Sequence, residues 1–187
     1  MTIKNLYLMR HGETLFNKRK KIQGWCDSPL TDNGIEQTKR ARELLKDILF
    51  DHYYSSTAER CCDTLEIITK KHYQREKGLK ERFFGVYEGE SEDLNPPLEE
   101  YDDFFSKGGG ETKQQVMDRV FKILQTIMEK EDHQSVLAVS HAGACRCFLS
   151  HFGNPEKLLD GKSFSNCCIL HFQYKNNQFK FIDSYIP

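Results

Sequence analysis

The chain has 187 residues, 38% hydrophobic and 29% charged, with a formal net charge of −1. That length predicts one domain over residues 1–187 with a sizeable core, and the composition predicts a soluble globular protein. The balanced charge gives no case for a nucleic-acid or membrane partner, and no apolar run approaches the roughly 20 residues of a membrane helix.

Ile3 to Met9 is an apolar run that reads as a first strand, closed by Arg10-His11-Gly12-Glu13-Thr14. The run is short, interrupted by Lys4 and Asn5, so it does not read as a signal peptide, and the expected location is cytoplasmic. A polar loop continues through Pro29. A helix is expected from Thr31, with Ala41, Leu44, Leu45, Ile48 and Leu49 at helical spacing. Asp51 to Ser55 reads as a second strand, and Thr57 to about His72 as a helix whose start a Ser/Thr cluster can cap.

Glu88 to Ser106 holds Pro96, Pro97, eight acidic residues and no basic ones, and reads as an irregular lid within an insertion over 88–110. Gly108, Gly109 and Gly110 would form a flexible joint. Thr112 with Gln115 predicts a capping box ahead of a helix bearing Val116, Val120, Ile123, Leu124 and Ile127. Ser135 to Val139 is a strand ending at Ser140-His141, and a helix continues from Gly143 to about His151. Phe164 to Tyr174 and Phe179 to Tyr185 read as a terminal hairpin turning at Lys175, Asn176 and Asn177. Strands that alternate with helices predict an α/β fold: three α/β/α layers on a mostly parallel central sheet.

Seven cysteines include no C-x-x-C motif, so neither a zinc ribbon nor a thioredoxin-type site is supported. They are expected as reduced thiols, mostly in the core, with Cys26 open to oxidation.

In an open α/β sheet, ligands bind at the carboxyl ends of strands. His11 and His141 each come directly after a predicted strand, so both belong to one sheet edge. Ser55-Ser56-Thr57-Ala58-Glu59-Arg60 ends another strand and brings a guanidinium to a helix start, a favourable place for an anion. Arg10 and Arg60 around two imidazoles repel one another unless an anion sits among them. Neighbouring cations keep His11 neutral and nucleophilic and stabilise charge on a transferring phosphoryl group.

With these residues in place, the chain resembles the histidine phosphatase superfamily, in its phosphoglycerate mutase-like branch. Arg10-His11-Gly12-Glu13-Thr14 with Asn17, Gln23 to Thr31 with Gly34, and Ser55-Ser56 with Arg60 and Thr64 match successive blocks of the family. So do Glu81 with Gly85 and Glu88-Gly89, Gly109-Gly110-Glu111-Thr112, and Ser140-His141-Ala142-Gly143. The resemblance implies that His11 attacks phosphorus, that Arg10, Arg60 and His141 hold the phosphoryl oxygens, and that Glu81 is the acid and then the base. Glu81 is then expected to start protonated. The resemblance also places Asn17, Gln23, Gly24, Arg82 and Ala142 in the substrate pocket and implies no metal.

Glu81-Arg82 fits the mutases of the family, but Phe83-Phe84 departs from their His-Tyr, and the lid is short and acidic. The expected function is therefore a metal-independent phosphomonoesterase, of the broad-specificity or alpha-ribazole phosphatase type, acting without a cofactor on a small-molecule phosphate ester. The alternatives are a phosphoglycerate mutase dependent on 2,3-bisphosphoglycerate and a non-catalytic phosphoester-binding regulator. Acidic Asp102 and Asp103, with Tyr101, Phe104 and Phe105, would favour neutral, apolar or cationic leaving groups. Sugar phosphates, phosphoglycerates, nucleotides and a cobalamin-precursor phosphate all remain open as substrates, and the chain is expected as a monomer or homodimer. His52, His72, His133, His151 and His171 match no block and read as surface or structural.

Overall fold

A computed structural model describes residues 2–187. Strands β1 (Lys4–Arg10), β2 (His52–Ser56), β3 (Gln74–Glu76), β4 (Ser135–Ser140), β5 (Ile169–Lys175) and β6 (Gln178–Tyr185) form one sheet in the order β3-β2-β4-β1-β5-β6. The first four are mutually parallel, β5 runs antiparallel to β1, and β6 runs antiparallel to β5. The helices are α1 (Leu15–Lys18), α2 (Asp32–Leu45), α3 (Glu59–Ile68), α4 (Tyr101–Lys107), α5 (Lys113–Glu129), α6 (Ala142–Leu149) and α7 (Pro155–Leu158).

The two faces of β1 explain the layers. Side chains alternate along a strand, so Leu6 and Leu8 face one side and Tyr7 and Met9 the other. Leu6 and Leu8 pack with Val120, Leu124 and Ile127 of α5 and Phe148 of α6. Tyr7 and Met9 pack with Ala41 and Leu45 of α2 and Cys61 and Leu65 of α3. Both sheet faces are covered, as near-continuous apolar runs in parallel strands require. The fold is the expected α/β/α arrangement. No helix among the described residues is long and apolar enough to cross a membrane.

Several expected boundaries move, for identifiable reasons. Helix α2 stops at Leu45, leaving Leu49 89% exposed rather than on the buried stripe. Helix α3 begins at Glu59 without a side-chain cap from its own segment; instead Asp27 Oδ2 accepts from the Glu59 N–H at 2.6 Å. The long loop therefore supplies the anion at this helix start, and the Ser/Thr cluster does not. The capping box of α5 forms as expected, with Thr112 and Gln115 bonding reciprocally. Polar Gln74-Arg75-Glu76 has no strand pattern, yet it adds to the sheet as the edge strand β3.

The first hairpin strand starts at Ile169, not Phe164, because Cys167 takes a left-handed conformation (φ 62°) that ends the extended run. Asn176 and Asn177 supply the two positive φ angles of the hairpin turn, 51° and 60°.

The lid is more ordered than its composition suggests. Phe105 of α4 is fully buried and packs with Ile22 and Phe84, with Tyr87, Tyr101 and Phe104 around them. The glycines form a hydrogen-bonded seam, not a free joint. Val86 N donates to Gly108 O at 3.0 Å and Glu111 N to Phe83 O at 2.8 Å. A Cβ on Gly85 would lie 2.0 Å from Gly108 O, so glycine is what permits this approach.

Candidate active site

Parallel pairing of β1 with β4 sets Arg10 opposite Ser140, and His11 N donates to Ser140 O at 3.0 Å. The residues just beyond these strands therefore emerge together. The His11 and His141 rings lie 5.3 Å apart at the carboxyl edge of the sheet. Both side chains are buried, at 4% and 1% exposure.

Hydrogen bonds assign their protons. His11 Nδ1 lies 2.8 Å from Gly12 O. A carbonyl only accepts, so Nδ1 carries the hydrogen and Nε2 keeps its lone pair. His141 Nδ1 lies 2.9 Å from Arg60 Nη2, and a guanidinium only donates. His141 Nε2 therefore carries the hydrogen and donates to Ser56 Oγ at 2.8 Å. Both His141 nitrogens are thus engaged within the protein, behind His11. Burial, then Arg60, then Arg10 hold the His11 pKa well below its ordinary value. Burial, Arg60 and His11 do the same for His141.

Arg60 is completely buried and its Nη groups are saturated. Nη1 donates to Cys26 O and Asp27 Oδ1, both at 2.9 Å, and Nη2 donates to Gly24 O at 2.7 Å as well as to His141. Arg10 Nη1 donates to Phe164 O at 2.8 Å. Arg10 and Arg60 each retain a buried Nε–H without an acceptor among the described residues.

Glu81 sits at the start of α6. Oε1 accepts from Arg82 N at 2.8 Å and Ala144 N at 2.9 Å, and Oε2 accepts from Gly143 N at 2.8 Å. Three of the roughly four lone-pair positions of a carboxylate are filled. The position left, on Oε2, has no partner among the described residues.

A cavity of about 190 Å³ joins Arg10, His11, Asn17, Gln23, Glu81 and Ala142. Tyr101, the lid aromatic expected to meet the leaving group, lines it too, as do Lys21, Glu92 and Asn95, none of which stands out in the sequence as a pocket residue. Gly24 and Arg82, expected in this pocket, and Arg60 and His141, expected to hold the phosphoryl oxygens, lie outside its lining. Gly24 acts through its carbonyl on Arg60; a Cβ there would lie 2.2 Å from Arg82 O. Arg82 turns toward the lid, donating to Asp102 Oδ1 at 2.8 Å.

Three of the lid's acidic side chains are held within the protein. Asp102 is held by Arg82 and by the Lys113 N–H, and Asp103 by Lys107 at 2.6 Å. Glu88 accepts from the N–H groups of Gly24, Trp25, Cys26 and Phe84 at 2.8–3.2 Å. Glu88 thereby fixes the loop whose carbonyls hold Arg60. Asp102 and Asp103 thus have cationic partners, whereas Glu92 lines the His11 cavity with none among the described residues.

Cys26 is not poised for oxidation. Its half-buried thiol donates to Ile22 O at 3.6 Å, and burial with Glu88 pushes its pKa up to about 12, far from a reactive thiolate.

These features coincide with one known family. The profile of the histidine phosphatase superfamily (branch 1) matches residues 6–186. The chain belongs to that superfamily. Among curated relatives of this histidine phosphatase chain, the probable phosphoglycerate mutase GpmB of Proteus mirabilis is 32% identical over 184 residues, covering 92% of this chain and 86% of that protein. Phosphoglycerate mutase-like protein 4 of Arabidopsis thaliana is 34% identical over 157 residues, 75% of this chain and 67% of that protein. Among solved structures, a phosphoserine phosphatase variant from Entamoeba histolytica, in complex with phosphoserine, superposes with a TM-score of 0.80 at 26% identity. It covers 97% of this chain and 96% of that one. Bacillus stearothermophilus YhfR gives a TM-score of 0.83 at 25% identity, covering 95% of each chain. The relatives of this chain thus carry the names of both phosphatases and mutases.

One other cluster among the described residues has metal-binding residue types. At the opposite, amino edge of the sheet, Asp132 accepts from His133 Nδ1 at 2.7 Å and lies 3.1 Å from His52 Nε2. The two imidazoles are stacked 3.6 Å apart. An ion between parallel rings would lie out of both ring planes, away from their lone pairs, so the geometry fits proton sharing rather than metal binding.

The depressed histidine pKa values carry a prediction. The folded state holds His11 and His141 neutral, whereas the unfolded chain protonates them near their ordinary value of about 6.5. As pH falls below about 6.5 the unfolded state binds more protons, so stability must fall there and be intact above. Thermal scans from pH 7.5 to 5 should show Tm dropping on the acid side. A flat Tm would contradict neutral, buried imidazoles.

Proposed function

We propose that this chain is a metal-independent phosphomonoesterase that works through a phosphohistidine. The observation that carries the reading is His11: Nδ1 is committed to Gly12 O, and Nε2 is a free lone pair in a cavity shared with Arg10 and Glu81.

The contacts set the order of steps. A phosphoryl group between Arg10 and His11 supplies the acceptor that buried guanidinium N–H groups lack, relieving a cost of about 1–3 kcal/mol for each donor it reaches. His11 Nε2 attacks phosphorus; the N–P bond forms as the P–O bond to the leaving group breaks. Glu81 passes its proton from Oε2 to the leaving oxygen. The Glu81 carboxylate then takes a proton from water, whose oxygen bonds phosphorus as the N–P bond breaks, and phosphate leaves. Cationic side chains stabilise the charge on the transferring group.

Hydrolysis is favoured over mutase action by the size of the cavity. Its volume of about 190 Å³ is that of about six liquid waters at about 30 Å³ each, enough for a phosphoryl group and a small leaving group. A bisphosphorylated intermediate has to turn around beside His11, and a pocket of this size favours transfer to water over that rotation. The names of the curated relatives favour the mutase as the second reading. The test is turnover in chelator-treated buffer with p-nitrophenyl phosphate and 3-phosphoglycerate, with and without 2,3-bisphosphoglycerate. Phosphate release indifferent to the bisphosphate is expected. Bisphosphate-dependent formation of 2-phosphoglycerate with little phosphate release would establish the mutase.

A further inference from the structure

The chain around Glu81 lies outside every strand. Lys77–Leu79 forms a single 3₁₀ turn, and beyond it the backbone is irregular until Gly85. Backbone carbonyls without ladder partners need other donors. Side chains supply one to each carbonyl from Gly78 to Glu81. Arg119 Nη1 donates to Gly78 O at 3.0 Å and to Lys80 O at 2.9 Å, and Nη2 donates to Glu81 O at 3.2 Å. Ser140 Oγ donates to Leu79 O at 2.7 Å, and the Trp25 indole N–H to Glu81 O at 3.0 Å.

Arg119 is held in turn by Glu111. Nε donates to Glu111 Oε1 at 2.9 Å and Nη2 to Oε2 at 2.7 Å, a two-pronged pair that fixes the plane of the guanidinium. All five of its N–H groups are thereby used. Those of Arg10, Arg60 and Arg82 are not, since each keeps an Nε–H without an acceptor among the described residues. Glu111 Oε2 also accepts from Phe83 N at 2.9 Å. At 22% and 19% side-chain exposure the pair is largely shielded from water. Arg119 stands on α5 beside the fully buried Val116 and Val120, so the clamp has a packed base. Neither Arg119 nor Glu111 lines the His11 cavity. The N–H groups of Arg82, Gly143 and Ala144 orient the Glu81 carboxylate, whereas the clamp fixes the backbone that carries it.

We infer that Arg119 and Glu111 are positioning residues for proton donation: the pair holds Glu81 where its carboxyl meets the leaving-group oxygen of an ester on His11. This rests on the phosphomonoesterase reading above and adds to it how the acid is placed. A displaced proton donor harms only those esters whose leaving group needs the proton.

The test is a leaving-group series followed in kcat/KM, which reports transfer to His11. In Arg119→Gln, n-alkyl phosphates, whose alkoxides must be protonated as they leave, should lose about 10²-fold. With p-nitrophenyl phosphate, whose phenolate leaves unaided, most of the rate should remain. Inhibition by inorganic phosphate, which reads the contacts at Arg10 and His11, should be unchanged. Arg119→Lys keeps a charge beside Glu111 but not the planar fork, so it should show the same selective loss in smaller measure. It also replaces Arg119→Gln if that variant does not fold. Equal losses on both ester classes, or no loss on alkyl phosphates, would overturn the proposal. Glu81→Gln in the same series separates the two readings. If it loses alkyl phosphates selectively and the Arg119 variants do not, the clamp falls and the hydrolytic reading stands. If the wild type hydrolyses no ester, the hydrolytic reading falls and the clamp is read from Trp25, the sole tryptophan. Its indole N–H resonance, set by the bond to Glu81 O, should then shift and exchange faster with solvent in Arg119→Lys. An unmoved resonance would overturn the clamp.

Discussion

His11→Ala should lower kcat/KM for any phosphate ester by about 10⁴-fold or more, equivalent to about 5.4 kcal/mol of transition-state stabilisation. Removing a nucleophile abolishes the covalent route and leaves only what positioning supplies. The substitution deletes a buried ring, but one at a cavity wall, so the variant should remain folded and should still bind inorganic phosphate through Arg10. Steady-state kinetics with phosphate binding by calorimetry read both effects. A variant that binds phosphate and retains most of its turnover would mean that another group, or water directly, attacks phosphorus. A non-catalytic binder would show no turnover in either protein.

Glu88→Ala should be strongly damaging although Glu88 does not line the His11 pocket. It removes the acceptor for four backbone N–H groups at once. Some of those donors can recover water because Glu88 is half-buried, so a loss of about 2–4 kcal/mol is expected rather than the full sum. The loop over 24–26 then loses its anchor. Gly24 O and Cys26 O, which orient Arg60, shift with it. Arg60 in turn fixes the tautomer of His141 and lowers the proton affinity of His11. The variant should therefore show a lower Tm, a lower kcat and an acid limb of the pH–rate profile moved toward neutrality. Glu88→Gln, which keeps one acceptor oxygen, should recover part of the Tm and of the kcat. A variant with wild-type pH dependence and only a reduced Tm would make Glu88 a structural strut with no bearing on the histidines.

Why Arg10, His11, Arg60, Glu81 and His141 are legible in the sequence while Glu88 is not is a matter of where their constraints lie. Apolar runs ending at Arg10 and Ser140 mark strands, and parallel pairing in register places the residues after them side by side. Local pattern thus carries the two histidines to one edge. Glu81 stands out only through its resemblance to the family's acid block, since a lone carboxylate in a polar stretch has no pattern of its own. The α/β/α layering is legible for the same reason as the histidines: strands buried on both faces are apolar throughout.

The parts that sequence reading misses depend on approach across the fold. Lys21, Glu92 and Asn95 meet at the pocket because an isolated bridge pairs Lys21 with Ser91, a contact that no spacing encodes. Composition makes the lid look like solvated acid. Its Tyr101, Phe104 and Phe105 instead build a small core, and Arg82 reaches back to neutralise Asp102. Gly24 and Arg82 are expected beside the substrate, but a backbone carbonyl bond and a salt bridge hold them away from the His11 cavity. The polar edge strand β3 arises from pairing with β2, not from any apolar alternation.

The central claim is that phosphorus passes through His11 Nε2 on its way to water. It is tested most directly by mixing the intact protein with a ³²P-labelled phosphomonoester in chelator-treated buffer, quenching in alkali within one turnover, and locating the label by peptide mapping. The account predicts acid-labile, alkali-stable label on the His11 peptide, formed at least as fast as phosphate appears and absent from His11→Ala. Phosphate release with no label on His11, or release that stops when divalent metal is removed, would contradict it.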